Sequence, residues 1–230
     1  MKSNTLTISQ AHKIYTGDSM GMFALKLSIG GILMYSATIF TFFIIMLLSE
    51  GNVSDALKEL SGTTLINTFL TMDAGIVLMI TGLVHYDKQL PGGKYFRTVK
   101  GGFDTYRKMK NASLIARVIA LISIMLVGAV FDSLGSFKLA YGTSDVIYIG
   151  AFLLISIGLV NFMNLIKNPA LRGFTTPFII FAAGLPGVVL PNIMDGNIYF
   201  ALAVAVTAVP LILISQKVML NDYKKRKWSK

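Results

Sequence analysis

Six long apolar segments constrain the fold of this chain more than any other feature of its sequence. A helix that crosses a bilayer needs about 20 mainly apolar residues. In hydrocarbon every backbone amide has to be paired within such a segment, so we expect helices, and the alternating pattern of a membrane β-barrel is missing. We therefore predict an all-α, polytopic membrane protein with six transmembrane helices, at residues 27–48, 64–84, 115–131, 146–166, 174–194 and 198–215.

The composition is that of a chain buried in lipid. Hydrophobic residues make up 54% of the chain and charged residues only 14%, whereas a soluble domain usually carries about 25% charged residues. The absence of cysteine excludes a disulfide scaffold, a thiolate zinc site and a cysteine nucleophile. Both histidines, His12 and His85, lie outside the apolar segments, so we expect no metal site and no cofactor.

The basic residues are concentrated on one side of the predicted spans. If the N-terminus is cytoplasmic, only Lys58 and Lys138 of the 21 lysine and arginine residues fall in outer segments. Membrane proteins hold their excess of lysine and arginine in short cytoplasmic loops. We therefore predict that both termini are cytoplasmic. The net charge of +10 then reflects topology and not binding to nucleic acid.

The predicted organisation has three parts. A cytoplasmic arm covers residues 1–26, the six-span domain covers 27–215, and a basic cytoplasmic tail covers 216–230. A basic cytoplasmic loop at 85–112 is too short for a core of its own. The strong inside bias and the lack of a cleavable signal are typical of a multi-pass protein of a bacterial plasma membrane.

The basic loop carries apolar residues at helical spacing. Four of them recur at i, i+3, i+7 and i+10, which is one stripe of a helix: Phe96, Val99, Phe103 and Tyr106. The pair Gly101-Gly102 interrupts this stripe at about 1 kcal/mol per glycine relative to alanine. We expect either two short helices with a hinge or one bent helix.

The stripe has two interpretations. It lies in the headgroup region of the membrane, or it docks into a groove of a cytoplasmic partner. The residues expected to take part in docking are Tyr95, Phe96, Arg97, Val99, Phe103, Tyr106 and Arg107.

Asp73 lies near the middle of the second predicted span. A charge at that depth costs at least about 2.5–3.5 kcal/mol, so the side chain must be neutral, paired or in contact with water. It is a candidate for a proton or cation relay or a substrate contact, with Arg117 as a possible partner. Alternatively it is protonated and bonded to a neighbouring helix, or it caps a half-helix.

Two asparagines, Asn161 and Asn164, lie at the inner end of the fourth predicted span. Polar residues in such positions form hydrogen bonds between helices. They are therefore expected either to connect helices or to line a transport path.

The fifth predicted span contains helix-disturbing residues. Pro186 and Pro191 each remove a backbone donor and bend or break a helix, and Gly184 permits a close backbone approach. Ala183 and Gly187 form a pair of small residues four apart, as is typical of helix contacts. Interrupted helices mark binding sites in some transporters, so Gly184, Pro186 and Pro191 are candidates for a kink or a gate.

No catalytic motif is present, so we do not expect an enzyme. Six spans, both termini inside, a length near 230 residues and a basic helical loop after the second span resemble the ABC-2-type permease subunits. The resemblance covers the topology of the whole chain and rests on no specific motif. The connection between spans five and six is shorter than is usual there, and an acidic residue after span two is lacking unless Asp87 serves.

The resemblance implies that two six-span subunits assemble with two cytoplasmic ATPase subunits. Residues 95–109 would then form the coupling segment, and residues 14–26 the segment that leads into the membrane. The chain itself has no nucleotide-binding motif, so the energy would come from its partner.

Three functions remain open from the sequence. The first, which we predict, is the permease subunit of an ATP-driven exporter. The second is an ion-coupled secondary carrier that uses Asp73. The third is a non-transport membrane protein, such as a regulator, an immunity factor or an assembly subunit.

Overall fold

The computed structural model describes residues 6–55, 95–133, 143–163 and 165–225. Within these ranges all regular elements are α-helices, in the order α1 Ile8–Thr16, α2 Met20–Glu50, α3 Tyr95–Thr98, α4 Gly102–Ser133, α5 Thr143–Met163, α6 Pro169–Ile193 and α7 Ile198–Lys225. Asp73, Asn164 and the predicted span at 64–84 lie outside the described residues.

Several of these helices have the length and the apolar character of membrane spans. Four qualify fully: α2, α4, α6 and α7. A shorter apolar stretch, Ile147–Met163, lies in α5. Because about 20 apolar residues are enough to cross the hydrocarbon of a bilayer, the chain has the architecture of a multi-pass α-helical membrane protein.

The helices extend beyond the spans predicted from hydropathy. α2 begins at Met20 and not at residue 27, because the Ser19 Oγ accepts a hydrogen bond of 3.3 Å from the Met22 amide and caps the helix there. α4 begins at Gly102, within the predicted loop 85–112. α7 continues to Lys225, within the predicted tail. Hydropathy locates only the apolar part of each helix.

The first two helices are joined by a tight turn. Thr7 caps α1 through a reciprocal pair of hydrogen bonds with Gln10, whose amide donates to the Thr7 Oγ1 at 3.3 Å and whose Oε1 accepts from the Thr7 amide at 3.0 Å. α1 ends at Gly17, which has a φ of 91°, a left-handed conformation that glycine adopts without strain. The chain therefore turns at once into α2.

The helices form two groups. In the first group, α2 packs along α4, and α1 and α3 contact the first turns of α4. In the second group, α5 packs along both α6 and α7. The groups meet where α4 lies against α5, around a buried apolar region that we call the bundle core: Tyr35, Leu121, Ile124, Met125, Ile149, Leu153, Ile157, Val160, Ile180 and Ile212.

Both ends of the described chain lie at the same end of the bundle, which we call the proximal end. Here side chains of α1 and of the last turns of α7 belong to one buried apolar cluster. At the opposite, distal end, the Tyr148 hydroxyl near the start of α5 donates a hydrogen bond of 2.8 Å to the Asn197 carbonyl, in the turn between α6 and α7. It follows that α5 and α7 run in parallel towards the proximal end and that α6 runs antiparallel to both.

Glycines allow α5 to approach its neighbours closely. A Cβ atom at Gly187 of α6 would lie 3.0 Å from the Cα of Ile149, and one at Gly158 of α5 would lie 2.9 Å from the Cγ of Leu211 on α7. The small-residue contact predicted at Gly187 is thus present. It is a contact with the backbone of α5.

Of the two effects expected from the prolines of the fifth predicted span, a bend or a break, the break is not present. α6 runs unbroken from Pro169 to Ile193 and includes Pro186 and Pro191 in its length. Gly184 and Pro191 are buried, and Pro186 is half-buried. A proline costs one backbone hydrogen bond, and here the packing of α6 on α5 keeps the helix intact. A gating role for these three residues stays a prediction.

We predict that Gly187→Ala destabilises the bundle and that Gly173→Ala does not. The new methyl group at position 187 has no space against the backbone of Ile149, and overpacking typically costs about 1–3 kcal/mol. No atom lies within 4 Å of a Cβ at Gly173 on the same helix, where alanine favours helix by about 1 kcal/mol. Thermal unfolding in detergent measures both, and equal midpoints for the two variants would contradict the close contact.

Candidate functional site

A cluster of buried aromatic and apolar side chains closes the proximal end of the bundle. We call it the aromatic cluster, and its buried members are Ala11, Tyr15, Phe96, Tyr106, Met109, Met219, Leu220 and Tyr223. They come from α1, α3, α4 and α7. The cluster therefore joins segments that are distant in the sequence.

Tyr106 lies at the centre of this cluster and is fully buried. Its ring stacks on that of Tyr223 at a centroid distance of 3.8 Å and an interplanar angle of 10°. The ring of Tyr15 meets it edge-on at 5.9 Å and 73°. Such pairs add about 0.5–1.5 kcal/mol each beyond the burial of their area. The Nζ of Lys110 lies 4.5 Å from the centroid of Tyr15, within the range of a cation–π contact.

The elbow between α3 and α4 depends on two glycines. Gly101 has a φ of 75°, which favours glycine. A Cβ atom at Gly102 would collide with the carbonyl oxygen of Phe96. The hinge predicted at this pair is therefore confirmed, but only its first arm is a short helix. The second arm is the start of the long helix α4.

The predicted stripe of apolar residues does not form one exposed face. Phe96 and Tyr106 are 1% and 0% exposed, because they pack against α1 and α7 of the same chain. Val99 is 39% exposed, and Phe103 is half-buried at the edge of the aromatic cluster. Phe96 and Tyr106 are thus internal packing residues of the described structure, and their part in docking stays a prediction.

The exposed members of the predicted docking set lie at the elbow, where the chain also forms a groove. Tyr95 is 38% exposed, and the exposed Arg107 forms an ion pair of 3.2 Å with Asp104. The groove has a volume of about 400 Å³. Its lining includes Phe96, Arg97, Val99, Phe103, Tyr223 and Lys224.

Arg97 connects this groove to the end of α7. Its Nη2 donates a hydrogen bond of 2.7 Å to the carbonyl of Lys224, and its guanidinium lies 5.4 Å from the centroid of Tyr223. The Nζ of Lys224 lies 5.6 Å from the centroid of Phe103. The groove thus has aromatic walls and a net basic rim, since Asp104 in its lining is paired with Arg107. This chemistry suits a partner that presents acidic side chains.

A layer of polar side chains separates the aromatic cluster from the bundle core. We call it the polar layer: Asn111, Arg117, Asn161, Ser215 and Gln216. The Arg117 Nη1 donates to the Asn161 Oδ1 at 3.3 Å, and the Asn161 Nδ2 donates to the Ser215 Oγ at 3.3 Å. The Gln216 Nε2 donates to the Asn111 Oδ1 at 3.2 Å. The bonds from Arg117 to Asn161 and from Gln216 to Asn111 cross between the two groups of helices, and the bond from Asn161 to Ser215 joins α5 to α7 within the second group.

Of the predicted transport-path residues, Asn161 lies in the polar layer. Three further members of the layer, Asn111, Ser215 and Gln216, were not singled out from the sequence. Asn161 is fully buried and connects α5 to α4 and α7, as one of its two interpretations predicts. The only local signal for the layer was Arg117 beside an apolar segment. Its predicted partner Asp73 and the second path residue Asn164 lie outside the described residues.

These features define a class: a multi-pass α-helical membrane protein whose two helix groups meet at a polar layer. Within the described ranges no three histidine or acidic side chains come together as ligands for a metal ion. Comparison with models of known families, with curated proteins and with solved structures gives no match.

Burial of His12 makes the attachment of α1 sensitive to pH. Its ring is fully buried, lies 4.9 Å from the centroid of Phe23, and places Nδ1 at 2.7 Å from the Asp18 carbonyl. Burial lowers the pKa of His12 below its usual 6.5, although the hydrogen bond to Asp18 opposes this, and Lys110 lowers the pKa further. Since the folded state disfavours the protonated ring, stability is full above pH 6.5 and declines as the pH falls below it.

We expect acidification to loosen α1 from the bundle. In membranes that carry Ala11→Cys, maleimide labelling of this buried position should accelerate between about pH 7.5 and 5.5, relative to the exposed position in Ser9→Cys. The chain has no cysteine of its own, so each label reports one site. The variant His12→Gln should remove the pH dependence. If its profile matched that of native His12, another group would be responsible.

Proposed function

We propose that this protein is the permease subunit of an ATP-driven exporter, operated by a separate cytoplasmic ATPase. The observation that carries the proposal is the aromatic cluster. Through this cluster, α3, the short arm of the elbow, packs against the ends of three longer helices, α1, α4 and α7. A force applied at the elbow therefore reaches both groups of helices.

The charge distribution supports a cytoplasmic proximal end. The basic side chains of the described residues lie on proximal turns, for example Lys13, Arg107 and Lys217, whereas Glu50, Asp55 and Asp195 lie at distal helix ends. Lysine and arginine are retained on the cytoplasmic side of membranes. Under the proposal, both termini are cytoplasmic, and the membrane is the plasma membrane.

The course of the chain supports six spans. α2 leaves the proximal end at Met20 and, as a helix of 31 residues, extends over about 46 Å. α3 and α4 begin again at the proximal end. Under the proposal, the apolar stretch at 64–84, which is long enough to cross a bilayer, is the second of six spans, and α2, α4, α5, α6 and α7 contain the other five.

The elbow has the features of a mechanical input. Tyr95, Val99 and Arg107 are accessible, while Phe96 anchors α3 inside the aromatic cluster and Arg97 holds the end of α7. ATPase closure would push on the accessible side of α3. The buried anchors would then transmit this movement to the proximal ends of both α4 and α7. Because these helices belong to different groups, the angle between the two groups would change at the polar layer.

The orientation has a direct test in intact cells. A membrane-impermeant maleimide should label Ser54→Cys, an exposed position at the distal end, without permeabilisation. It should label Ser9→Cys, exposed at the proximal end, only after permeabilisation. The lack of native cysteine removes any background. The reverse pattern would refute a cytoplasmic proximal end.

The ATPase partner has a test with matched variants. We expect a soluble ATPase to co-purify in gentle detergent in about equal amount, as one ATPase per permease requires. Val99→Asp and Arg107→Glu place negative charge beside the groove and should lower the ATPase recovered per permease severalfold, because like charges oppose an acidic partner. Both positions are exposed, so folding should be retained.

The control for this experiment is Lys217→Glu. It makes the same change in charge as Arg107→Glu at an exposed position of α7. Lys217 does not line the groove, whereas Arg107 pairs with Asp104 of the groove lining. ATPase recovery should stay at the native level. Recovery of the protein alone, with no ATPase, would instead favour the ion-coupled carrier or the regulator, and Asp73→Asn would then be the variant to assay.

A further inference from the structure

Arg117 is a buried cation for which the described part of the chain supplies no anion. Its side chain is 7% exposed, and its one hydrogen bond there runs from Nη1 to the neutral Asn161 Oδ1. Its Nε has no hydrogen-bond partner. A guanidinium has five N–H donors and keeps its charge at any physiological pH. Such a group is strongly unfavourable in a membrane protein unless it is paired with an anion, bonded to backbone carbonyls or in contact with water.

The residues around Arg117 are arranged to hold it in place and not to neutralise it. Asn161 donates through its Nδ2 to Ser215 and to Gln216, so its Oδ1 stays directed towards Arg117. Two ion pairs of the described residues, Lys26–Asp18 and Arg107–Asp104, lie elsewhere and are exposed. The polar layer thus presents fixed donors without a carboxylate among its described members.

The position of Arg117 indicates what kind of molecule would bring the anion. It lies on α4 and faces α5 of the other helix group, where a path between the groups would pass. On its distal side is the bundle core, with Leu121, Ile124 and Ile157. On its proximal side is the aromatic cluster. A ligand at this level has an apolar environment for a hydrocarbon chain and one guanidinium for a charged head.

We propose that Arg117 binds the phosphate or carboxylate head of an anionic amphiphile, held between the two helix groups. The planar guanidinium matches two oxygens of such a head, and Asn161 fixes its orientation. This inference rests on the proposed function, in which the amphiphile is the transported substrate. The same chemistry is present in an anionic lipid of the bilayer, and the experiment separates the two sources.

The experiment titrates purified full-length protein in dodecyl maltoside with dodecyl phosphate and records the thermal unfolding midpoint. Dodecyl phosphate should raise the midpoint of the native protein, and dodecyltrimethylammonium should not. Arg117→Gln should weaken the apparent affinity by about tenfold or more, as for the loss of hydrogen bonds to a charged group. Arg117→Lys should fall between, because an ammonium cannot bind two oxygens in the same plane.

Two further variants keep the test decisive if Arg117→Gln fails to fold. Asn161→Asp places a carboxylate against Arg117 at nearly unchanged shape, although it loses the bonds that the Asn161 Nδ2 donates. Because the carboxylate occupies the guanidinium, this variant should abolish the response to dodecyl phosphate. Lys217→Gln removes an exposed charge elsewhere on α7 and should respond like the native protein. An unchanged response in Asn161→Asp, or an equal loss in Lys217→Gln, would overturn the proposal.

The source of the anion follows from the same titration in lipid nanodiscs. If phosphatidylglycerol displaces the response to dodecyl phosphate and phosphatidylcholine does not, the site holds a bilayer lipid. If neither displaces it, the site selects a separate substrate. If Arg117→Gln unfolds easily and Asp73→Asn restores it, the counter-ion belongs to the chain and the inference is wrong. None of these results depends on recovery of an ATPase, so failure here is distinct from failure of the permease proposal.

Discussion

The packing of Tyr106 between Tyr15 and Tyr223 holds together three segments that the sequence keeps far apart. Tyr15 belongs to α1, Tyr106 to the start of α4 and Tyr223 to the last turns of α7. If this contact were lost, α1 would lose its buried face, and the carbonyl of Lys224 would no longer be held where Arg97 reaches it. The groove at the elbow, with its basic rim, is therefore a consequence of the aromatic cluster.

Below the cluster, the polar layer gives the two helix groups one defined register. Apolar side chains pack in many nearly equivalent ways, whereas a buried amide such as Asn161 is stable only where each of its groups finds a partner. Its bonds to Arg117 and Ser215 fix the heights of α4, α5 and α7 relative to one another. The layer thus fixes the relative heights of the helices, which the apolar packing of the bundle core alone would leave less well defined.

Sequence reasoning predicted those features that depend on local chemistry. The apolar helices follow from hydropathy, and the hinge at Gly101-Gly102 follows from glycine itself. The start of α4 at Gly102 and the end of α7 at Lys225 were missed, because beyond the hydrocarbon these helices are stabilised by side chains distant in sequence. The same reason explains why the burial of Phe96 and Tyr106 was not predicted. Their helical spacing can be read from the sequence, but their contacts with Tyr15 and Tyr223 cannot, and the spacing alone does not distinguish a buried stripe from an exposed one.

The aromatic cluster and the polar layer connect the same two helix groups at different depths, and their contacts respond differently to motion. The stacked rings of Tyr106 and Tyr223 lose little energy when they slide by a fraction of a ring width, because dispersion and burial depend weakly on direction. The bond from Arg117 to Asn161 depends steeply on distance and angle. Under the proposed function, the cluster therefore acts as a pivot that stays closed, and the polar layer is the contact that breaks when the groups tilt. An anion already bound by Arg117 would compensate for the loss of that bond and stabilise the tilted state, so that substrate binding and movement at the elbow favour the same conformation.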